Sequence, residues 1–229
     1  MTRVILRSDI RKKLGEKTAV FWSDDELNEW MEQAQLDIVW KAKLKRIRDT
    51  FTTVASTARY QLSTIFPNLL RVVSGGVWIY DSDILRWRKL FYKTKEYMDE
   101  FYPQWVNAPA SKPIFYMEDT DEDMFELYPT PSSECVGTNY CRVYYSQRPT
   151  VMATDSSSPD LDKQGLLHPA VIEYVVATGF ETRGYGDLAN DHWTKYFDKI
   201  KAYLIEKESY REDDEIIMKS YRAGNSGLI

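Results

Sequence analysis

The sequence predicts an α+β protein: a small helical bundle with an inserted antiparallel β-subdomain and an extended C-terminal arm. Near both ends of the chain, apolar residues recur at helical spacing, whereas the middle carries short β-branched and aromatic runs between turn residues. Residues 212–229 show neither the helical spacing of apolar residues nor a strand-like run. The 229 residues suffice for one large domain or two small ones, and a composition of 43% hydrophobic and 28% charged residues is typical of globular proteins.

A capping box marks the start of the first bundle helix. Ser23 can accept a hydrogen bond from the backbone of the first turn, and Glu26 can reach back to the backbone of Ser23. We expect a helix over residues 24–47 with basic last turns, and before it one helical turn ending at Gly15. Its apolar residues recur at spacings of three and four, at Leu27, Trp30, Met31, Ala34 and Ile38.

Residues 50–150 are predicted to form the β-rich insertion. We expect hairpins around residues 55–58 and around Ser74-Gly75-Gly76, whose glycines suit a tight turn. A short helix over 93–102 is stopped by Pro103. Three further strands are predicted at Ile114–Met117, Met124–Tyr128 and Tyr140–Ser146.

Residues 151–211 are predicted to form a helical hairpin. Pro169 suits the first turn of one helix, and Gly184-Tyr185-Gly186 leads into a second helix over about 187–211. No helix of this length can bury its apolar stripe alone, so residues 1–49 are expected to complete the bundle. Residues 212–229 then remain as an exposed arm.

Few side chains offer catalytic chemistry. The two histidines, His168 and His192, lie on different predicted elements, and no HExxH motif or phosphate-binding loop accompanies them. Cys135 and Cys141 are expected to be free thiols in a reducing compartment. We therefore expect no enzyme activity, no catalytic residue, no metal site and no cofactor.

One acidic stretch resembles the start of a calcium loop. Asp119, Asp121 and Asp123 alternate, but Met124 and Thr130 stand where such a loop needs glycine and glutamate. We interpret the stretch as an acidic loop between two strands, and an assembly interface as its alternative role. Its acidic residues are Glu118, Asp119, Asp121, Glu122 and Asp123.

Charge is distributed unevenly along the chain. Residues 41–48 hold five basic and no acidic side chains, residues 118–126 hold six acidic and no basic ones, and residues 206–215 hold six acidic and two basic ones. The net charge of −5 argues against a protein that coats nucleic acid. Segregated charge of this kind is either solvated surface or an orienting interface between subunits.

An ordered set of motifs resembles tailed-phage head–tail adaptor proteins, also called head-completion or connector proteins. The opening helix FWSDDELNEWMEQAQLDI at 21–38 is followed by a Tyr-x-Leu hairpin at Tyr60 and Leu62. The resemblance covers about residues 8–210, although Gln33 stands where the family commonly has asparagine. The later motifs are Leu69–Val73, FELYPTP at 125–131, Val143-x-Tyr145 with Pro149, and Leu167–Ala170 with Tyr174.

The resemblance implies a structural virion protein at the head–tail interface. Adaptors of this kind form a ring, commonly of twelve subunits, that extends the DNA channel below the portal protein and seats tail or nozzle proteins. Packaged DNA would pass an acidic lumen without specific binding, and residues 118–126 are candidates for that lining. By analogy with the family's arms, the expected portal contacts in residues 212–229 are Ile216, Ile217, Met218 and Tyr221.

The sequence leaves two other functions open. One is a tail gatekeeper or tube ring subunit that does not contact the portal. The other is a virion-associated wall hydrolase with a divergent pair of carboxylates. Neither a secretory signal nor an apolar run of about 18 residues is present, so we expect a protein made in the host cytoplasm and not in a membrane.

Overall fold

A computed structural model describes residues 1–16, 18–119 and 123–224, with the backbone alone for Ser74 and residues 208–224. The chain divides into a helical unit, Met1–Leu44 with Pro149–Ile229, and a β-rich unit, Lys45–Arg148. Helices and mostly antiparallel sheets together confirm the predicted α+β class. In the part of the chain that the structure describes, no helix is long and apolar enough to cross a membrane.

The helical unit packs four helices around one apolar interior. They are α1 (Arg3–Lys13), α2 (Asp24–Lys41), α5 (His168–Thr182) and α6 (Gly186–Gly224). The first is a full helix where the sequence predicted a single turn, because its apolar residues Leu6 and Ile10 are fully buried. Other fully or nearly fully buried side chains are Leu27, Met31, Ile38, Val171, Val175 and Tyr196.

The predicted capping box starts α2. The Glu26 backbone N–H donates to Ser23 Oγ at 3.1 Å, and the Ser23 backbone N–H donates to Glu26 Oε2 at 2.8 Å. The helix ends at Lys41, six residues before the predicted end. Lys43 and Lys45 have positive φ angles of 51°, which the helix cannot contain, and Leu44 turns into the interior. The basic residues that follow therefore belong to a strand.

Helix α6 continues beyond the end predicted near residue 211. It runs from Gly186 to Gly224, so most of the predicted extended arm is helical. Glutamate, lysine, arginine and methionine favour helix, and no proline or glycine interrupts the segment before Gly224. Residues 225–229, the rest of that arm, lie outside the described residues.

The β-rich unit contains two four-stranded sheets. In chain order its elements are β1 (Arg46–Thr53), β2 (Arg59–Gln61), α3 (Leu62–Ile65), β3 (Leu69–Asp81), β4 (Arg86–Lys89), β5 (Phe91–Tyr92), α4 (Lys95–Phe101), β6 (Phe115–Asp119), β7 (Met124–Tyr128) and β8 (Gly137–Gln147). The first sheet has the order β1-β8-β3-β4, and the second has the order β2-β7-β6-β5. All pairs are antiparallel except β5 with β6.

Two predicted hairpins are wrong. Strands β1 and β2 flank residues 55–58 but pair with β8 and β7 in different sheets. Around Ser74-Gly75-Gly76 the chain does not reverse, because β3 continues through a bulge opposite β8. Glycine is needed there, since Gly75 has a φ of +67° and a Cβ on Gly76 would lie 2.8 Å from the Val73 carbonyl oxygen.

The core of the β-rich unit lies between the inner faces of its sheets. Aromatic rings from both sheets meet there: Phe51 packs edge-on against Phe125, with 5.8 Å between ring centroids, and Phe125 stacks on Tyr116 at the same distance. The remaining core includes Phe66, Val77, Ile79, Leu127, Cys141 and Val143.

Strands β1 and β8 lie side by side at one end of the first sheet. There the Gln147 backbone N–H donates to the Lys45 carbonyl at 3.1 Å.

Candidate interaction surfaces

Glu173 and the two histidines of the helical unit make contacts that hold its elements together. His192 Nδ1 lies 2.7 Å from Glu173 Oε2, and Lys13 Nζ donates to Glu173 Oε1 at 2.6 Å. Burial raises the pKa of Glu173, but the hydrogen bonds from Lys13 and His192 outweigh it and hold that pKa below its usual value. His168 Nδ1 lies 2.9 Å from the amino group of Met1. These histidines thus join elements of one unit.

Both cysteines are buried free thiols. Burial raises the pKa of Cys135 to about 11 and raises that of Cys141 further. A nucleophile must be a thiolate near neutral pH, and these thiols remain protonated there. Among the side chains that the structure describes, no three of His, Cys, Asp or Glu are grouped to hold a metal ion.

The acidic segment 118–123 is partly held by local contacts. Lys95 Nζ lies 3.3 Å from Asp119 Oδ2, and Asp123 accepts hydrogen bonds from the Ser63 backbone and hydroxyl. The Ser63 hydrogen bonds lower the pKa of Asp123. Asp121 and Glu122 lie outside the described residues. Asp123 therefore stays charged, and the contacts of Asp119 and Asp123 brace the ends of β6 and β7.

Glu118 differs from its acidic neighbours. Burial raises its pKa to about 7, only partly offset by a hydrogen bond from the Val72 backbone, and its Oε2 atom has no hydrogen-bond partner among the described residues. A carboxyl that resists ionisation destabilises the folded state at pH values where it must ionise.

We expect Glu118→Gln to stabilise the protein at pH 8 and not at pH 4.5. The folded-state pKa of about 7 exceeds the ordinary value of 4.5, so the cost of ionisation grows as pH rises between these values and is complete above pH 7. Removing this cost should raise the free energy of unfolding by on the order of 2 kcal/mol at pH 8. Urea unfolding at both pH values measures the gain, with the exposed Glu100→Gln as control. An equal gain at both pH values would contradict the prediction.

The side chains predicted to contact the portal lie outside the described part of the structure. Ile216, Ile217, Met218 and Tyr221 fall within α6, where the backbone alone is described. Their role as contacts therefore stays a prediction.

The outer face of the first sheet carries basic and aromatic side chains. Successive strand residues point to opposite faces, so residues that alternate with the buried Phe51, Ile79 and Val143 face away from the core. We call this surface the basic–aromatic face. Its members are Arg46, Arg48, Trp78, Tyr80, Trp87, Lys89, Tyr140, Arg142 and Tyr144.

Contacts within the basic–aromatic face hold it together. The Arg142 guanidinium lies 3.8 Å from the centroid of the Trp87 ring, and Tyr80 packs edge-on against both Trp87 and Tyr140. Arg48 pairs in register with Tyr144 on the neighbouring strand. The aromatic rings are half-buried, whereas Arg46, Arg48 and Lys89 are exposed. The surface is therefore preorganised and carries positive charge that is open to solvent.

A second surface of the β-rich unit is apolar. After α4, Tyr102, Trp105 and Tyr128 line a shallow groove of about 570 Å³. Trp105 Nε1 donates to Asp99 Oδ1 at 2.8 Å and fixes the indole at the floor. Phe101 and Val106 nearby are 58% and 69% exposed. Exposed apolar groups gathered in this way are typical of surfaces that contact other proteins.

Sequence reasoning missed the basic–aromatic face because it assigned Arg46 to the end of a helix. The signal was nevertheless present as alternation within short runs, namely Arg46-x-Arg48, Trp78-x-Tyr80, Trp87-x-Lys89 and Arg142-x-Tyr144.

Comparison with known protein families gives a match that covers both units. The model of the SU10 adaptor protein family matches residues 1–218 of the chain. No curated protein matches it.

Proposed function

Since this chain belongs to the SU10 adaptor protein family, a family of bacteriophage head–tail adaptors, we propose that its copies form a ring between the portal and the tail. Closed rings arise when one surface of a subunit binds a different surface of the next. The observation that carries the proposal is the family match over residues 1–218, which spans the helical and the β-rich units. A ring of about twelve copies is the size that the resemblance implies.

The surfaces of the β-rich unit support a role in protein contacts. The groove beside Trp105 offers apolar area, and the basic–aromatic face offers fixed charge with rigid rings. Tyrosine, tryptophan and arginine are enriched at protein interfaces because they combine contact area with polar ends. A scaffold of this kind acts by shape and recognition, and we propose no catalytic step for it.

We propose that the ring lumen is acidic where DNA passes. DNA adheres to proteins through lysine and arginine, which neutralise its phosphates. The net charge of −5 and the lowered pKa of Asp123 support a lumen that repels phosphate. The acidic segment 118–123 is the proposed lining.

Light scattering of the purified protein, alone and with the portal protein of its own phage, tests the ring. We expect a complex whose mass corresponds to one portal with a ring of adaptor copies. A protein that binds tail components but never the portal would be a gatekeeper or tube subunit instead. A clearing zone in a zymogram of the pure protein would contradict a purely structural role.

Deleting residues 212–229 should abolish portal binding and leave the two units folded. The deleted segment contains the apolar residues Ile216, Ile217, Met218 and Tyr221, whose burial would offset the entropy lost on ordering an arm. Co-sedimentation with purified portal measures binding, and circular dichroism checks the fold. The matched control ends at Gly224 and keeps these four residues. Unchanged portal binding by the longer deletion would refute this contact.

A further inference from the structure

The basic–aromatic face has an excess of positive charge without local compensation. At the described outward-facing positions of its four strands, basic residues occur and acidic residues do not. Arg46, Arg48, Lys89 and Arg142 form no ion pair with any described residue. The chain as a whole carries a net charge of −5, so the positive charge of this face is opposite in sign to that of the whole protein. A negatively charged partner with some apolar area suits it best.

The chain itself contains such a partner segment. Residues 208–215, ESYREDDE, hold five acidic side chains and one basic one, and Ile216-Ile217-Met218 follow directly. The backbone of this segment is helical within α6. Because α6 has 39 residues and α5 only 15, α6 extends about 36 Å beyond the length that α5 can cover. The acidic segment thus falls in the part of the helix that exceeds its hairpin partner.

The spacings of the two charge patterns agree. Arg46 and Arg48 lie two residues apart on β1, a rise of about 6.8 Å. Acidic positions four residues apart on a helix, such as Glu208 and Glu212, are separated by about 6 Å along the axis. Positions four residues apart on this helix therefore repeat at nearly the spacing of Arg46 and Arg48 along the strand.

We propose that the basic–aromatic face of one copy binds the acidic segment 208–215 of a second copy. This inference rests on the proposed ring, and it names one of the contacts that would build it. The two surfaces differ, so the contact is head-to-tail and repeats around a closed ring. It leaves residues 216–221, at the end of the same helix, for the portal.

Charge reversal tests the pairing. R46E/R48E and E208R/E212R should each raise the protein concentration needed for half-maximal assembly about tenfold or more, as followed by light scattering with purified portal. A chain that carries all four substitutions should assemble within about threefold of the unaltered chain, because the reversed charges attract again. K163E/K201E makes the same change in net charge as R46E/R48E, at exposed lysines of the helical unit, and should assemble normally.

The outcomes separate this inference from the ring itself. If the unaltered protein fails to assemble, the ring proposal fails. If the unaltered protein assembles and R46E/R48E assembles equally well, only the assigned contact is wrong. The assigned contact is also contradicted if the chain with all four substitutions assembles as poorly as the double variants. If R46E/R48E assembles normally but loses retention of duplex DNA in a gel shift, the face binds nucleic acid instead.

A cross-link shows which copy supplies the segment. Under oxidation, a chain with Arg48→Cys and Glu212→Cys should give disulfide-linked dimers and higher multimers. The native Cys135 and Cys141 are buried and contribute little background. A monomer with an internal disulfide would mean that the segment binds the face of its own chain, which would overturn the proposal.

Discussion

Replacing Arg11 with alanine is expected to lower the free energy of unfolding by about 3–5 kcal/mol. Arg11 is 7% exposed, and its guanidinium joins α1 to the start of α2. It donates to Glu16 Oε2 at 2.8 Å, to the Trp22 carbonyl at 3.0 Å and to Asp24 Oδ1 at 2.6 Å. Its removal would leave the buried Glu16 carboxylate without its charge partner, which costs more than the pair contributes.

Urea unfolding followed by far-ultraviolet circular dichroism measures this loss. The midpoint should fall at an unchanged slope, which indicates a change in stability and not in the compactness of either state. Lys12→Ala is the matched control, since its ion pair with Asp9 is exposed and should contribute less than about 1 kcal/mol. Arg11→Lys should be intermediate, because lysine retains the charge but not the planar fork. Equal effects of Arg11→Ala and Lys12→Ala would contradict the argument.

Phe125→Ala is expected to destabilise the β-rich unit by about 3–5 kcal/mol. Phe125 is fully buried on β7, and its ring contacts Phe51 from the first sheet and Tyr116 from β6. Its loss would open a cavity between the two sheets that the surrounding aromatic rings cannot fill without leaving their preferred rotamers.

The measurement is urea unfolding followed by tryptophan fluorescence. Phe91→Ala removes the same group from a side chain that is 56% exposed, and it should cost no more than about 1 kcal/mol. A cost for Phe125→Ala as small as that of Phe91→Ala would show that the two sheets can close around the missing ring.

Local chemistry made the helix starts predictable, but the ends depended on tertiary contacts. The capping box at Ser23 and Glu26 involves residues three apart, so the sequence alone contains all of it. The end of α2 depends on Leu44 entering the interior and on positive φ angles at Lys43 and Lys45. The length of α1 depended likewise on burial of Leu6 and Ile10 against the rest of the helical unit.

Strand pairing was the least predictable part of the fold. Strand β1 pairs with β8, so that Arg46 lies opposite Ser146 from a distant part of the sequence. Turn residues at 55–58 suggested that the strands on either side pair with each other, but those strands belong to different sheets. Gly75 and Gly76 read as a turn because glycine suits turns and bulges equally well, and only the partner strand distinguishes them.

The candidate surfaces also differ in whether a short stretch of sequence contains them or tertiary contacts create them. The basic–aromatic face requires the register of four strands, so no single segment contains it. The acidic segment 118–123 was visible in the sequence because its residues are consecutive. The contacts of these residues were not visible in the sequence, because the partners lie on other elements. Ser63 contacts Asp123, and Lys95 contacts Asp119.

The hydrogen bond from the Gln147 backbone to the Lys45 carbonyl has a consequence for how such proteins diversify. The chain enters the β-rich unit at Lys45 and leaves it at Arg148, next to the ends of β1 and β8 that run side by side, so the two ends of this unit are adjacent. A module whose two ends are adjacent can be exchanged for another without stretching the chain that receives it. Recombination between related genomes can therefore replace the whole β-rich unit, with its two surfaces, and retain the helices that flank it.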